Sequence, residues 1–216
     1  KAINFEIGFR GNTKDHKLYY DLTTFWMQQK ETIVSKSTSL GTVIFENAGL
    51  TSQFGLELLL GYTFINDPLK TISLFKIQTS YTHHNFSFDN YIKRKGNENI
   101  DYSGNALTGT APNISVTTIE LETKNGFYTN FMHNFTDKIP LNDANTVYGE
   151  SYQLLTTKIG WKSKMNKKNN FDVFFGVDNL LNEKYSLGND LNAFGNRYFN
   201  AAPERNYYGG IKFYFN

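Results

Sequence analysis

From its second residue the chain alternates apolar and polar side chains, and the alternation returns in segment after segment. In Ala2-Ile3-Asn4-Phe5-Glu6-Ile7-Gly8-Phe9 the odd positions are Ile or Phe, whereas Asn4, Glu6 and Gly8 hold even ones. Neighbouring residues of a strand point to opposite faces, so this pattern predicts a strand with one greasy and one polar side. Read together with the turn residues, it predicts about nine strands. They cover residues 2–11, 17–32, 48–65, 71–88, 113–123, 126–137, 150–163, 170–180 and 205–215.

The connections alternate in length. Those around Asn12 to His16, Asn66 to Lys70, Lys124 to Gly126 and Lys164 to Asn169 are short. Those after Ile33, from Asp89 to Pro112, from Lys138 to Gly149 and from Glu183 to Glu204 are longer. Sorting short turns to one side and long loops to the other is the habit of outer-membrane barrels, whose long loops are extracellular. A soluble sandwich has no reason to do this. With the last strand ending in the periplasm, every short turn is expected there and every long loop outside. An even strand count is the rule for bacterial single-chain barrels, so about nine strands read as a piece of a larger barrel.

The final strand sorts in the same way. Tyr207, Gly209, Ile211, Phe213 and Phe215 face one side, and Asn206, Tyr208, Gly210, Lys212 and Tyr214 the other. Lipid suits the first face and a wet lumen the second. Gly210, Phe213 and Phe215 resemble the terminal signal that barrel-assembly machinery reads. The segments Phe175-Gly176-Val177-Asp178-Asn179-Leu180-Leu181-Asn182-Glu183-Lys184-Tyr185 and Gly195 to Gly210 closely resemble the C-terminus of TonB-dependent outer-membrane receptors. Asn47-Ala48-Gly49-Leu50-Thr51-Ser52-Gln53-Phe54-Gly55-Leu56-Glu57, then Ser80-Tyr81-Thr82, then Leu107-Thr108-Gly109-Thr110-Ala111-Pro112 fit the family in the same order. The resemblance implies an all-β fold: an antiparallel transmembrane β-barrel segment, about nine of the roughly 22 strands of a transporter with a plugged lumen. It places residues 1–216 in the C-terminal portion of that barrel, with the N-terminal plug and earlier strands outside them.

Composition alone points elsewhere. Hydrophobic residues make up 39% of the 216 and the mean hydropathy is −0.48, values ordinary for a soluble protein such as a β-sandwich. A membrane strand buries only every second residue, so its average polarity stays near that of a soluble chain. No apolar run approaches the roughly 20 residues of a transmembrane helix. The 19 Phe and 14 Tyr suit aromatic girdles at the membrane interfaces. A net charge of +2 predicts no nucleic-acid partner, and the absence of cysteine fits an envelope protein without disulfides. The opening residues alternate as a strand does instead of forming an apolar signal segment, so the chain is expected to begin inside a fold.

Candidate chemistry is sparse. In the strand from Phe75 to Asn85, the alternation sends Lys76, Gln78, Ser80, Thr82 and His84 to the lumen, with His84 near the mouth. His83 and His84 point to opposite faces and cannot share one metal ion. Lys93, Arg94 and Lys95 form a cationic cluster able to attract an anionic ferric complex, or simply a solvated loop tip. Arg197 and Tyr198 belong to the family-like last loop and, with His84, Lys93 and Arg94, are the expected substrate-binding residues of the lumen and extracellular loops, whereas Arg205, opening the final strand, is expected to support loop-to-barrel or barrel-to-plug geometry. Asn189, Asp190, Asn192 and Asn196 are oxygen-rich but match no EF-hand spacing, and turn chemistry explains them better. Lys162, Lys164, Lys167 and Lys168 read as a solvated hairpin end. No metal, cofactor or enzymatic motif emerges.

By resemblance the whole protein captures a scarce ligand outside, with TonB, reached through the plug region, supplying energy. The last segment, residues 197–208, resembles ferric-siderophore and ferric-citrate receptors more than glycan importers, which makes a ferric complex or haem the expected ligand, with lipid, lipopolysaccharide and the assembly machinery as further partners. Glycan or cobalamin import is the alternative within the family. A non-transporting role as an adhesin, a secretion accessory or half of a split barrel is the alternative outside it.

Overall fold

The computed structural model describes the chain apart from residues 39, 41, 96, 165–168 and 216, and apart from the side chains of residues 36, 37, 94, 95, 164, 169 and 215. The side chains of Arg94, Lys95, Lys164 and Phe215, and all of Lys167 and Lys168, therefore lie outside the described residues.

In chain order the strands begin with β1 (Ala2–Asn12), β2 (Leu18–Lys30), β3 (Ile33–Ser37), β4 (Val43–Asn47) and β5 (Leu50–Asn66). Then come β6 (Ile72–Asn90), β7 (Ile92–Lys95), β8 (Glu98–Asp101), β9 (Asn113–Thr123) and β10 (Phe127–Thr136). The last are β11 (Ile139–Pro140), β12 (Tyr148–Gly149), β13 (Tyr152–Lys164), β14 (Asn169–Asp178) and β15 (Asn206–Phe215). Nine of them build one antiparallel sheet in the order β1-β2-β5-β6-β9-β10-β13-β14-β15, the nine that alternation predicts. The six short strands pair as β3-β4, β7-β8 and β11-β12, forming hairpins within three of the long connections.

Turn chemistry explains the short connections. Between β1 and β2 the Thr13 hydroxyl and the Lys17 amide donate to Asp15 and hold its carboxyl below the usual carboxylate range. Asp67 accepts from the Leu69 amide between β5 and β6. At Gly126, φ is +90° and a Cβ would collide with the Lys162 carbonyl oxygen, so only glycine closes the β9-β10 turn.

Register carries the two faces across the whole sheet. Phe5 pairs with Trp26, and Trp26 with Phe54. Further along, Phe131 pairs with Ile119, Ile159 with Phe175, and Phe171 with Phe213. All of these lie on the apolar face, and Phe5, Trp26, Phe54, Ile159, Phe175 and Phe213 are each more than a third exposed. Near the short turns, rings follow one another across this face. Phe127 lies 6.1 Å from Trp161, Trp161 5.4 Å from Phe171, and Phe171 6.5 Å from Phe213. Tyr62, Phe64 and Phe75 continue the row on β5 and β6, with centroids 4.6 and 4.8 Å apart.

On the opposite face large rings lie flat over glycines of the neighbouring strand. Tyr128 covers Gly160, Phe174 covers Gly210, Tyr208 covers Gly176 and Phe25 covers Gly55; an ideal Cβ at any of these glycines would collide with a ring atom. The pairing fills the wall without a bulge into the space it faces. Gly176→Val should therefore destabilise the intact protein by about 1–3 kcal/mol through overpacking. Gly61→Val, whose Cβ would meet nothing closer than Gln78 at 3.8 Å, is the control. Urea unfolding in detergent micelles reads the difference, and equal midpoints would remove the packing argument.

A sheet whose apolar face stays exposed has no core beneath it. Most of the fully buried apolar residues sit at the long-loop end: Ala48, Phe88, Tyr91, Ala111, Leu141 and Tyr198. Val34, Tyr102 and Leu107 pack against Ala48, Phe88 and Tyr91. Gly49 makes the approach possible, because it adopts φ +68° and a Cβ there would run into the Asn90 carbonyl oxygen.

Candidate functional site

The polar face of β1, β2, β5 and β6 borders a hollow of about 740 Å³. Glu6, Asp21 and Glu57 make it acidic, and Arg10 answers Asp21 at 3.5 Å. Toward the long loops the polar wall turns aromatic. Phe25 meets Phe86 edge-on at 6.1 Å, and Phe86 lies 4.6 Å from the His84 ring. The Ala111 carbonyl lies 3.1 Å from His84 Nδ1 and accepts its proton, which fixes the ring in place. His84 is registered with Gly55 on the polar face, whereas His83 bonds Asn113 Oδ1 at 2.9 Å on the other.

Above this wall four long connections are tied together at one carboxylate. Asp143 is 2% exposed. Its oxygens accept from the Tyr91 hydroxyl at 3.2 Å, the Thr108 hydroxyl at 2.7 Å and Asn192 Nδ2 at 3.0 Å. Its own amide donates to Asn192 Oδ1, and its carbonyl accepts from Asn105 Nδ2. Asn192 Nδ2 also donates to the Ser35 carbonyl, which joins the β3-β4 connection to the knot. Asn145 and Ala106 exchange two further bonds, at 2.7 and 3.0 Å. Burial, and next the Asp143 charge, push the Tyr91 hydroxyl far above its ordinary range, so it remains a donor at any physiological pH.

The sequence candidates divide between the polar wall and the loops. Lys93 does not stand free at a loop tip: its ammonium lies 2.7 Å from Glu46 and 3.9 Å from Asp143, with 17% of the side chain exposed. Tyr198 is buried against Phe199, and its carbonyl accepts from the Asp190 amide. Arg197 is exposed on the same loop. Arg205 precedes β15, and its amide donates to Asn182 Oδ1 across the last loop. Asn189 accepts from the Ser186 hydroxyl within its own loop, whereas Asn192 Oδ1 accepts from the Asp143 amide in another. Gly210 lies beneath the Phe174 ring, and Phe213 is exposed on the apolar face.

Asp143, Asn105 and Asn192 do not stand out by periodicity. Asn192 belongs to the oxygen-rich set that reads as turn chemistry, and among the other partners Thr108 lies within the family-like segment Leu107 to Pro112.

The structure resembles several solved receptors and transporters. It matches the siderophore receptor PiuA from Acinetobacter baumannii with a TM-score of 0.73 and 18% identity, over 99% of this chain and 28% of that one. The unliganded ferric citrate transporter FecA gives a TM-score of 0.72 at 18% identity, over 99% and 31%. The copper transporter OprC gives 0.66 at 12% identity, over 100% and 31%. The chain thus spans under a third of the length of the structures it matches, and at these identities the likeness concerns the fold. A family profile described as TonB dependent receptor-like, beta-barrel matches residues 1–180. The chain belongs to the TonB-dependent receptor β-barrel family, a family of the outer membrane.

Proposed function

We propose that the chain is the C-terminal portion of the barrel of a TonB-dependent active transporter and that the whole protein imports an iron complex: a ferric siderophore, ferric citrate or haem. One observation carries this reading. A sheet with an apolar outer face and a polar inner face, its long loops knotted at one end, matches a siderophore receptor over 99% of its length. In this reading the apolar face meets lipid, the polar face lines the lumen, the long loops are extracellular and the end of β15 is periplasmic. TonB acts through the plug region, outside these residues, and lipopolysaccharide surrounds the loop end.

Among the candidates, His84 on the aromatic wall and Arg197 on the exposed last loop meet the cargo. Arg94 is assigned to the same role by its place in the cationic run of its loop. Lys93 and Tyr198 hold the loops that frame the entrance, and Arg205 sets the angle at which the last loop enters β15. Gly210, Phe213 and Phe215 serve recognition by the assembly machinery.

Uptake of labelled iron by cells whose only receptor is the full-length protein tests the reading. Import of ferric citrate, a ferric siderophore or haem that stops when TonB is deleted is the expected result. Binding of cobalamin or an oligosaccharide, with every iron complex ignored, would remove the cargo and keep the transporter. TonB-independent behaviour with no import would remove both.

A further inference from the structure

The four long connections, residues 31–49, 91–112, 137–151 and 179–205, are tied to one another in a closed ring. Lys93 joins the second to the first through Glu46 at 2.7 Å. The Gly109 amide joins the second to the third by donating to the Pro140 carbonyl at 2.8 Å. The Asn192 amide joins the fourth to the third by donating to the Leu141 carbonyl at 2.8 Å. Asn192 Nδ2 closes the ring by donating to the Ser35 carbonyl of the first at 3.1 Å.

Two side chains of this ring each serve two ties. Lys93 also lies 3.9 Å from Asp143, and Asn192 also bonds Asp143, donating from Nδ2 and accepting at Oδ1. The groups that hold the first connection are therefore the groups that satisfy the buried carboxylate of the third. A connection lifting away alone would strand desolvated partners in the others, and an unpaired buried polar group costs more than the bond itself contributes net. Apolar packing has the same form, because Ala48 of the first connection and Tyr91 of the second are both buried with Phe88. Opening in parts is penalised at each step, whereas opening together lets water reach all the orphaned groups at once.

We infer that the four connections form one cooperative rim that opens as a unit, and that its opening releases His84 on the polar wall. The second connection reaches that wall: the Pro112 carbonyl accepts from the His84 amide at 2.8 Å, and the Ala111 carbonyl holds the ring. Thr108, three residues before Ala111, is held by Asp143. In the transporter reading the rim frames the entrance, so cargo meets one gate instead of four separate loops, and a contact to the last loop alone is transmitted to the first. The cooperativity itself rests on the ring of ties and not on the cargo.

Amide exchange of the full-length protein in outer-membrane vesicles, in rising urea below the global transition, tests the unit. The amides of Ala48, Gly104, Leu141 and Asp190 report one connection each, and that of His84 reports the wall. In the wild type these five should follow one common opening curve, distinct from that of β10 and β13. Asn192→Ala cuts the ties to Asp143 and Ser35, yet Ala48, Gly104 and His84, whose amides bond elsewhere, should quicken together by about tenfold. Separate curves for the connections in the wild type would overturn the inference. So would quickening confined to the partners of Asn192, or a His84 amide that stays with the strands. Equal quickening of β10 and β13 would also overturn it, since the rim would then be no unit of its own. None of these readouts involves iron, so failure of the rim and failure of the transporter reading are separate results.

Discussion

Replacing Asp143 with alanine should loosen four loops at once while leaving the strands in place. The side chain accepts from Tyr91, Thr108 and Asn192 and lies 3.9 Å from the Lys93 ammonium, all in a nearly dry setting. Removing one member of a buried charged network costs about 3–5 kcal/mol, because the partners lose their bonds and stay desolvated. Part of that cost is recovered when the loops open and water reaches the orphaned groups, so the loss appears as local opening and not as global unfolding. At about 1.4 kcal/mol per decade, amide exchange around residues 33–35, 91–109, 141–145 and 189–192 should quicken by roughly a hundredfold or more. Exchange in β9, β10 and β13 should be unchanged. Asp143→Asn keeps an acceptor for Asn192 or Thr108 but loses the attraction to Lys93, and should fall between. If Asp143→Ala exchanges like the wild type, the knot does not hold the loops.

The second large effect concerns the two faces. Ile159 is 54% exposed on the apolar face of β13, with Thr129 and Phe175 beside it. Ile159→Arg should cost about 2–4 kcal/mol if that face meets hydrocarbon near the bilayer midplane. Gln78→Arg, on the polar face of β6, should cost little, because the inner wall already carries Lys76 paired with Glu120 at 3.9 Å. Urea titration of the full-length protein folded into vesicles separates the two. Equal tolerance at both positions would mean that the apolar face does not meet lipid, and would revive the sandwich suggested by composition.

The same alternation makes the sheet legible in the amino-acid sequence. Each residue of a lipid-to-lumen strand declares its face, so residues 113–123 emerge as β9 (Asn113–Thr123) without adjustment. β6 runs to Asn90, beyond the predicted 88, because its upper end is carried by the loop core around Phe88 and Tyr91. The loop hairpins leave no such pattern, for a different reason. Pairs such as β7-β8 contain Lys93-Arg94-Lys95, a run that reads as a solvated tip, and what fixes Lys93 is Glu46 and Asp143, far away in the chain. Asp143 stands in Asn142-Asp143-Ala144-Asn145, which reads as a turn, and three of its partners lie 35, 49 and 52 positions distant. Local pattern names faces; it carries nothing about which distant loops meet.

The strand order has a kinetic meaning. Every neighbour in the nine-stranded sheet is also the next long strand in sequence, so each pairing closes only a hairpin and its loop. Searching cost therefore stays nearly constant as the sheet widens, and low sequence separation favours quick pairing. Among the described strands of this sheet, only the free sides of β1 and β15 can accept another strand. Growth is thereby confined to two fronts, and a sheet made this way can be extended or templated one hairpin at a time without undoing what has already formed.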